Sequence, residues 1–230
     1  MDNKKNEWDQ SYENKENFLF YPDEEMIVFF SRYVMKRIGF KEYRNVIENP
    51  QNMKVLDLGC GIGRHVAYCH EMGLDAYGID LSHEAIKVAQ EWASKIGVSH
   101  PTQKVLQGDI RKLPWPDGFF QCAVSHGVLD SMHFEIAFEA CKELARTMAS
   151  GGLFYCDLIS GNDSAHPREF AGEEVMLGHE KGTIQSFFNF TKINQLFEGL
   201  FTILECKLIR REDVLSGRCT SRYHMVLKRI

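Results

Sequence analysis

Apolar residues along the chain follow two different periods, which change wherever glycine or proline interrupts them. Short, continuously apolar runs have the length and composition of buried strands, and they lie at 53–59 (MKVLDLG), 75–82 (DAYGIDLS), 104–109 (KVLQGD) and 119–127 (FFQCAVSHG). Helical spacing occupies 23–39, about 64–72, the segment capped by Ser82, and about 134–148. This alternation predicts a doubly wound α/β fold with a mainly parallel sheet.

The last third of the chain changes this pattern. A further strand is predicted at 153–159 and a helix within 188–201, followed by two strand-like runs at 202–212 and 221–230. Their short connection favours an antiparallel pair at one edge of the sheet, which then has seven strands. The polar, glycine-bearing segment 160–186 has little periodicity and is predicted to be a lid insertion.

Length, charge and cysteine content narrow the possible functions. A chain of 230 residues suits one large domain, which we predict over 41–230, with residues 1–40 forming an arm and helix over the site. A net charge of −5 with interspersed basic residues argues against a nucleic-acid partner. The sequence has no signal-like leader after Met1 and no apolar segment near the ~20 residues of a membrane span, so we predict a cytoplasmic protein without a membrane partner. Seven scattered cysteines without a C-x-x-C pair favour reduced thiols, and no metal site is predicted.

The turn GCGIG at 59–63 follows the first strand and has glycines where a ligand would approach the backbone. In open α/β sheets, ligands lie beyond the carboxyl ends of the strands. A dinucleotide fingerprint requires glycine at position 64, where Arg64 stands, and a phosphate loop requires a lysine and a hydroxyl residue that are missing. The carboxylate of Asp57 repels a polyphosphate and attracts an amine. The turn therefore favours a ligand that carries positive charge.

Two more acids end the next strands. Asp80 lies 21 residues after Gly59, where an acidic side chain accepts hydrogen bonds from ribose hydroxyls. Asp109 can accept from an exocyclic amine, with Ile110 packing against a flat base. A nucleoside with a cationic amino-acid tail satisfies all of these positions.

The motifs VLDLGCGIGR, GIDLS, GDIRKLPWPDGFF and VSHGVLDSM occur in this order over residues 50–160. Together they resemble the class I S-adenosylmethionine-dependent methyltransferases, in particular the branch that acts on small molecules. The resemblance implies a Rossmann-like methyltransferase fold, S-adenosylmethionine as cofactor, S-adenosylhomocysteine as product, and methyl transfer to an oxygen, nitrogen or carbon atom of a small-molecule acceptor.

The resemblance also implies roles for individual residues. Cofactor contacts fall on Asp57 and the backbone of Gly59, Cys60, Gly61 and Gly63 for the methionine part, on Asp80 and Leu81 for the ribose, and on Asp109 and Ile110 for the adenine. Ser125 to Val128 are expected to line the side where the methyl group is presented. The N-terminal segment resembles arms that close over the cofactor, with Trp8, Tyr12 and Tyr21 as lid contacts.

His126 is our candidate general base, because a neutral imidazole can take a proton from an acceptor hydroxyl near physiological pH. Alignment of the reacting groups alone lowers the barrier by up to ~7 to 11 kcal/mol in such reactions. A role for His126 only as a wall of the pocket, without proton transfer, is therefore an equal alternative. A methyltransferase acting on RNA or protein, a cofactor-binding module without catalysis, and a nucleotide oxidoreductase stay open as other functions.

Overall fold

The computed structural model describes residues 4–51, 53–161, 172–174 and 182–230. Its helices are α1 (Lys5–Glu13), α2 (Glu24–Tyr33), α3 (Arg64–Glu71), α4 (His83–Lys95), α5 (Pro101–Lys104), α6 (Phe134–Thr147) and α7 (Phe190–Phe197). Its strands are β1 (Met35–Arg37), β2 (Tyr43–Asn45), β3 (Lys54–Leu58), β4 (Asp75–Asp80), β5 (Val105–Gln107), β6 (Phe120–Ser125), β7 (Met148–Ile159), β8 (Gly172–Glu174), β9 (Ile184–Ser186), β10 (Phe201–Glu212) and β11 (Cys219–Arg229).

Seven strands form the central sheet in the order β10-β11-β7-β6-β3-β4-β5. The pairs from β7 to β5 are parallel, whereas β11 runs antiparallel to both β7 and β10. The predicted fold class, a doubly wound, mainly parallel sheet with an antiparallel C-terminal edge, is confirmed. Strand order reverses between β3 and β6, which opens a crevice beyond their carboxyl ends.

Both faces of the sheet are buried. Because side chains alternate along each strand, neighbouring residues pack on opposite faces. Leu56 and Phe154 belong to a cluster with α6 and α7, while Val55 packs on the opposite face with the helix α2. Phe29 of α2 meets the ring of Tyr155 with centroids 5.4 Å apart. Since α2 shares the core of the sheet, it is part of the main body rather than a separate lid.

The helix predicted over 23–39 is shorter in the structure. It ends at Tyr33, and the chain continues as the hairpin β1–β2, whose turn contains the boundary predicted at residue 40. The carbonyl of Val34 accepts hydrogen bonds from the amides of Val46 and Ile47 at 2.9 and 3.3 Å, so the end of the helix pairs with the hairpin. Ile38, which continues the helical period in the sequence, is 49% exposed and contributes no buried face. The apolar spacing of Ile38 therefore led to a predicted helix that is too long at its C-terminal end.

Other elements also differ from the predictions. The strand predicted at 153–159 begins earlier: β7 starts at Met148, includes the segment ASGG at 149–152 and has a register irregularity against β6. The one-turn helix α5 was not predicted. Within the segment 160–186, the residues 162–171 and 175–181 lie outside the described residues, so the lid stays a prediction. Among the described helices, none has the length and apolar character of a membrane span.

Candidate active site

A cavity of about 610 Å³ lies beyond the carboxyl ends of β3, β4 and β6. Most of the predicted site residues line it: Trp8, Tyr12, Gly59, Cys60, Gly61, Asp80, Leu81, Asp109, Ile110 and His126. The structure therefore brings together residues from the N-terminal arm and from the ends of four strands. Asp57, Gly63 and Ser125 do not line the cavity.

The glycine turn forms one wall of the cavity. At Gly59 and Gly61 neighbouring side chains lie so close to the backbone that no side chain fits. Gly59 and Gly61 have φ angles of +75° and +53°, a region that residues with a Cβ rarely adopt. A Cβ on Gly59 would lie 2.4 Å from a methyl group of Val128. Gly63 has a different role, because a Cβ there would lie 3.1 Å from the Cβ of Ala89 on α4. Gly63 thus allows α3 and α4 to pack closely and faces away from the cavity.

Asp57 lies beneath the turn, with 2% of its surface exposed. Its Oδ1 lies 3.6 Å from Nδ1 of His65, and among the described residues its buried Oδ2 has no hydrogen-bond partner. The Nε2 atom of His65 accepts a hydrogen bond from the amide of Asp23 at 3.3 Å, so the ring proton is on Nδ1 and faces Asp57. An unpaired buried carboxylate oxygen under the glycine turn is suited to a hydrogen-bond donor of a ligand.

Asp80 fixes the turn to the end of β4. Its Oδ2 accepts from the amide of Gly61 at 2.8 Å and its Oδ1 from the amide of Ser82 at 2.9 Å. Burial raises the pKa of Asp80 to about 6, although the two amide donors oppose this shift. Because each carboxylate oxygen can accept two hydrogen bonds, both oxygens retain capacity for ligand hydroxyls.

Asp109 has a partner that the sequence interpretation missed. The Nη2 atom of Arg111 donates to Oδ2 of Asp109 at 2.6 Å, and its Nε lies 3.0 and 3.1 Å from the two oxygens. The hydrogen bonds from Arg111 lower the pKa of Asp109 despite partial burial. An adenine amine at Asp109 therefore competes with a guanidinium that also lines the cavity.

Ser125 is placed differently from its predicted position. It is buried, and its hydroxyl donates to the carbonyl of Leu58 at 3.1 Å. This hydrogen bond joins the ends of β3 and β6 where the strand order reverses. The serine hydroxyl thus stabilises the floor of the crevice, while the next residue, His126, reaches the cavity.

His126 lies between two carboxylates. Its Nδ1 is 3.2 Å from Oδ2 of Asp157, and its Nε2 is 3.7 Å from Oδ2 of Asp23. Burial by itself lowers the pKa of His126, but Asp157 and Asp23 together raise it above the ordinary 6.5, against an opposing contribution from Arg64. Asp157 was not predicted as a site residue. An acid in the middle of the otherwise apolar run LFYCDLI was the available signal.

The N-terminal arm covers the cavity from α1. The Oδ1 atom of Asp9 accepts from the hydroxyl of Ser82 at 2.6 Å and from the amide of His83 at 2.8 Å, which joins α1 to the start of α4. The hydroxyl of Tyr12 reaches the glycine turn, where it lies 2.6 Å from the position of a Cβ on Gly61. Tyr21, also expected to contact the ligand, is 78% exposed and does not line the cavity.

Comparison with known proteins finds similarity to one family. Residues 56–156 match the family described as "Methyltransferase domain". The chain is 29% identical over 167 residues to ajmaline N-methyltransferase of Rauvolfia serpentina, covering 68% of this chain and 54% of that protein. It superposes on a crystal structure of a SAM-dependent methyltransferase from Methanosarcina mazei with a TM-score of 0.63 and 19% identity, over 78% of this chain and 94% of the other. The chain is therefore similar, over residues 56–156 and in its fold, to the S-adenosylmethionine-dependent methyltransferases.

A second solved structure of the fold is a complex. It is the 1,6-didemethyltoxoflavin-N1-methyltransferase of Burkholderia thailandensis with 1,6-didemethyltoxoflavin and S-adenosylhomocysteine, with a TM-score of 0.58 and 18% identity over 78% of this chain and 72% of that one. The chain spans about half or less of the length of the first curated relatives it matches.

The residues of the site fit S-adenosylmethionine, the cofactor of the proteins with a similar fold. The turn bears no side chain at Gly59 and Gly61, Asp57 has an unpaired buried oxygen, and Asp80 retains accepting capacity at the end of β4. The bare turn suits a close-lying amino-acid tail, and Asp80 suits the ribose hydroxyls. Asp57 lies beneath the turn without lining the cavity, so its carboxylate would attract the ammonium group of that tail by charge. For a metal ion, the described residues provide no group of three or more ligating side chains.

Proposed function

We propose that this protein transfers a methyl group from S-adenosylmethionine to an oxygen, nitrogen or carbon atom of a small-molecule acceptor. The observation that carries the proposal is the cavity itself. Most of the cofactor-binding residues predicted from the sequence, together with His126, line one cavity of about 610 Å³, over which α1 is docked through Asp9. This volume suits a cofactor together with a small acceptor.

Part of the cavity lining has the composition of an acceptor site. Val128, Met132, Ile136 and Ile184 give it apolar walls, and His126, Ser131 and Arg222 give it polar groups. A mostly apolar pocket with a few convergent polar groups is the usual form of a small-molecule site. The names of ajmaline N-methyltransferase and of 1,6-didemethyltoxoflavin-N1-methyltransferase specify small acceptors, which supports the same class for this chain.

S-adenosylmethionine, when bound, supplies a methyl group on a positively charged sulfur that leaves as a neutral thioether. The protein's own residues then have three tasks. Asp57, Asp80 and the glycine turn hold the donor, α1 with Trp8 and Tyr12 excludes water, and His126 accepts a proton from an acceptor that must lose one. An acceptor that is already a free nucleophile requires only alignment.

The test begins with the cofactor alone. Titration calorimetry should show S-adenosylhomocysteine binding to the parent and at least tenfold weaker binding to a folded Asp80→Ala variant, since hydrogen bonds to a charged acceptor contribute ~1.5 to 3 kcal/mol each. Asp213→Ala removes an exposed hairpin carboxylate and is the matched control. Parent protein that binds NAD instead of S-adenosylhomocysteine would contradict the proposal.

The acceptor class is tested next. Small amines, phenols and heterocycles are incubated with S-adenosylmethionine, and S-adenosylhomocysteine formation is measured by mass spectrometry. RNA and protein substrates are included as the alternative. Turnover only with a macromolecule would overturn the small-molecule assignment while leaving the methyltransferase assignment intact. A cytoplasmic location stays a prediction from the sequence.

A further inference from the structure

A row of charged side chains lies at the acceptor side of the cavity and continues behind His126. The Nε atom of Arg222 donates to Oδ2 of Asp157, and its Nη2 donates to Oδ2 of Asp130, both at 2.6 Å. Each aspartate has 1% of its surface exposed. Arg222 comes from β11, Asp157 from β7 and Asp130 from the loop after β6, so the antiparallel edge of the sheet contributes to the site.

Asp157 is held on both of its oxygens. Its Oδ1 accepts from the amide of Gly127 at 2.8 Å, while its Oδ2 accepts from Arg222 and faces Nδ1 of His126 at 3.2 Å. Burial raises the pKa of Asp157, but Arg222 and His126 outweigh burial and hold that pKa well below its ordinary value. Asp157 therefore stays ionised and cannot turn away from His126.

The Nδ1 atom of His126 is buried, and among the described residues no group is within hydrogen-bonding geometry of it. Its nearest acidic atom is Oδ2 of Asp157 at 3.2 Å, so the two interact as neighbouring charges, and 21% of the whole side chain is exposed. A buried Nδ1 next to an ionised carboxylate favours the tautomer with its proton on Nδ1, which leaves the lone pair of the neutral ring on Nε2. Other charged and titratable groups around the ring are Asp23 at the start of α2, Arg64 and His65 of α3, and Arg222 and His224 of β11.

We propose that Asp157, held in place by Arg222, is a positioning residue that fixes His126 as the Nδ1–H tautomer, so that Nε2 receives the proton of the methyl acceptor. The inference rests on the proposed function and makes it more specific. The acceptor is then a hydroxyl compound or a protonated amine. Its O–H or N–H bond breaks, the proton binds the Nε2 lone pair, and the electron pair of that bond stays on the acceptor atom as its nucleophilic lone pair. The resulting imidazolium is paired with Asp157.

Nuclear magnetic resonance on the cofactor-free protein tests this without an acceptor. Long-range ¹H–¹⁵N spectra of histidine-labelled protein are recorded between about pH 5 and pH 9, and the His126 signals are assigned by their loss in His126→Gln. We expect the Nδ1–H tautomer in the neutral ring. In Asp157→Asn, the midpoint of the His126 titration should fall by about one pH unit or more, a tenfold change in its protonation equilibrium.

Two variants keep the test decisive. Asp23→Asn removes the other carboxylate near the ring, and it should lower the midpoint while leaving the tautomer unchanged. If Asp157→Asn fails to fold, Arg222→Lys is used instead, because it retains the positive charge. It should raise the share of the Nε2–H tautomer, since the guanidinium no longer holds Asp157. A parent ring that is mainly the Nε2–H tautomer overturns the proposal, as does a tautomer and midpoint that neither Asp157→Asn nor Arg222→Lys changes.

The same variants separate this inference from the proposed function. S-adenosylhomocysteine should bind Asp157→Asn within about threefold of the parent, because Asp157 does not line the cavity. If the parent binds no S-adenosylhomocysteine, the proposed function fails while the tautomer result stands. With an identified acceptor, the acidic limb of kcat/KM should move with the His126 midpoint in Asp157→Asn, and kcat should fall by ~10².

Discussion

The hydroxyl of Tyr12 lies directly over Gly61, 2.6 Å from the position that a Cβ would occupy, and the next atom of the ring is 3.5 Å away. The N-terminal arm and the glycine turn are therefore in contact through this pair. This contact explains the glycine at position 61 by two independent requirements: its φ of +53° and the space taken by Tyr12.

A double-mutant cycle separates these requirements. Gly61→Ala should destabilise the parent by the backbone cost of about 1–2 kcal/mol and by an additional contact term. Tyr12→Phe removes the nearest atom, so Gly61→Ala should cost about 1 kcal/mol less in that background. Urea unfolding of the four proteins measures the difference, and equal costs in both backgrounds would show that Tyr12 does not restrict position 61.

The ends of the parallel strands could be predicted from the sequence, because an apolar run followed by a glycine turn or an acid is a pattern of adjacent residues. Gly61 and Asp80 were predicted as site residues from this pattern. The pair Asp157–Arg222 joins residues 65 positions apart, and no local pattern reveals that contact. The Asp109–Arg111 pair is only two residues apart, and its alternating charges in GDIR were overlooked. The predicted end of α2 was wrong because Ile38 continues the helical period without being buried.

Ligand binding should depend on pH through Asp80. Its pKa of about 6 lies above the ordinary 3.8, so the folded protein binds this proton more tightly than the unfolded chain does. Its contribution to folding stability therefore decreases as the pH rises through this interval. Ribose hydroxyls donate to the ionised carboxylate, so the affinity for S-adenosylhomocysteine should rise with pH up to about 6 and then level off, with up to about a tenfold change per pH unit below it.

Calorimetry over this pH range checks the prediction. In Asp80→Asn the affinity should be lower and its dependence on pH in this interval should disappear. His126→Gln is the control for histidine titration and should keep the dependence of the parent. A parent affinity that is constant between about pH 5 and pH 7 would contradict the assignment of the ribose to an ionised Asp80.

Closure of the arm should depend on Asp9, which accepts hydrogen bonds from Ser82 and His83 at the start of α4. Asp9→Ala removes both, which should lower the free energy of local opening of α1 by about 1–2 kcal/mol. Hydrogen exchange over residues 5–13 should become about five- to thirtyfold faster. Glu13→Ala removes an exposed carboxylate from the same helix and should leave exchange near that of the parent. If both variants exchange alike, Asp9 does not hold the arm.

The contact expected between Asp109 and the adenine amine is tested best by changing the ligand. S-inosylhomocysteine has a carbonyl oxygen in place of that amine, and this oxygen cannot donate a hydrogen bond to the Asp109 carboxylate and is repelled by it. The parent should bind it at least about tenfold more weakly than S-adenosylhomocysteine. In Asp109→Asn this preference should be lost, because an amide can donate as well as accept.

Arg111 occupies both carboxylate oxygens at 2.6–3.1 Å, and Arg111→Met should therefore increase the preference by releasing Asp109. Calorimetry with the two ligands on the three proteins measures these ratios; equal affinities in the parent would place the adenine amine away from Asp109 and leave Arg111 as its only established partner among the described residues.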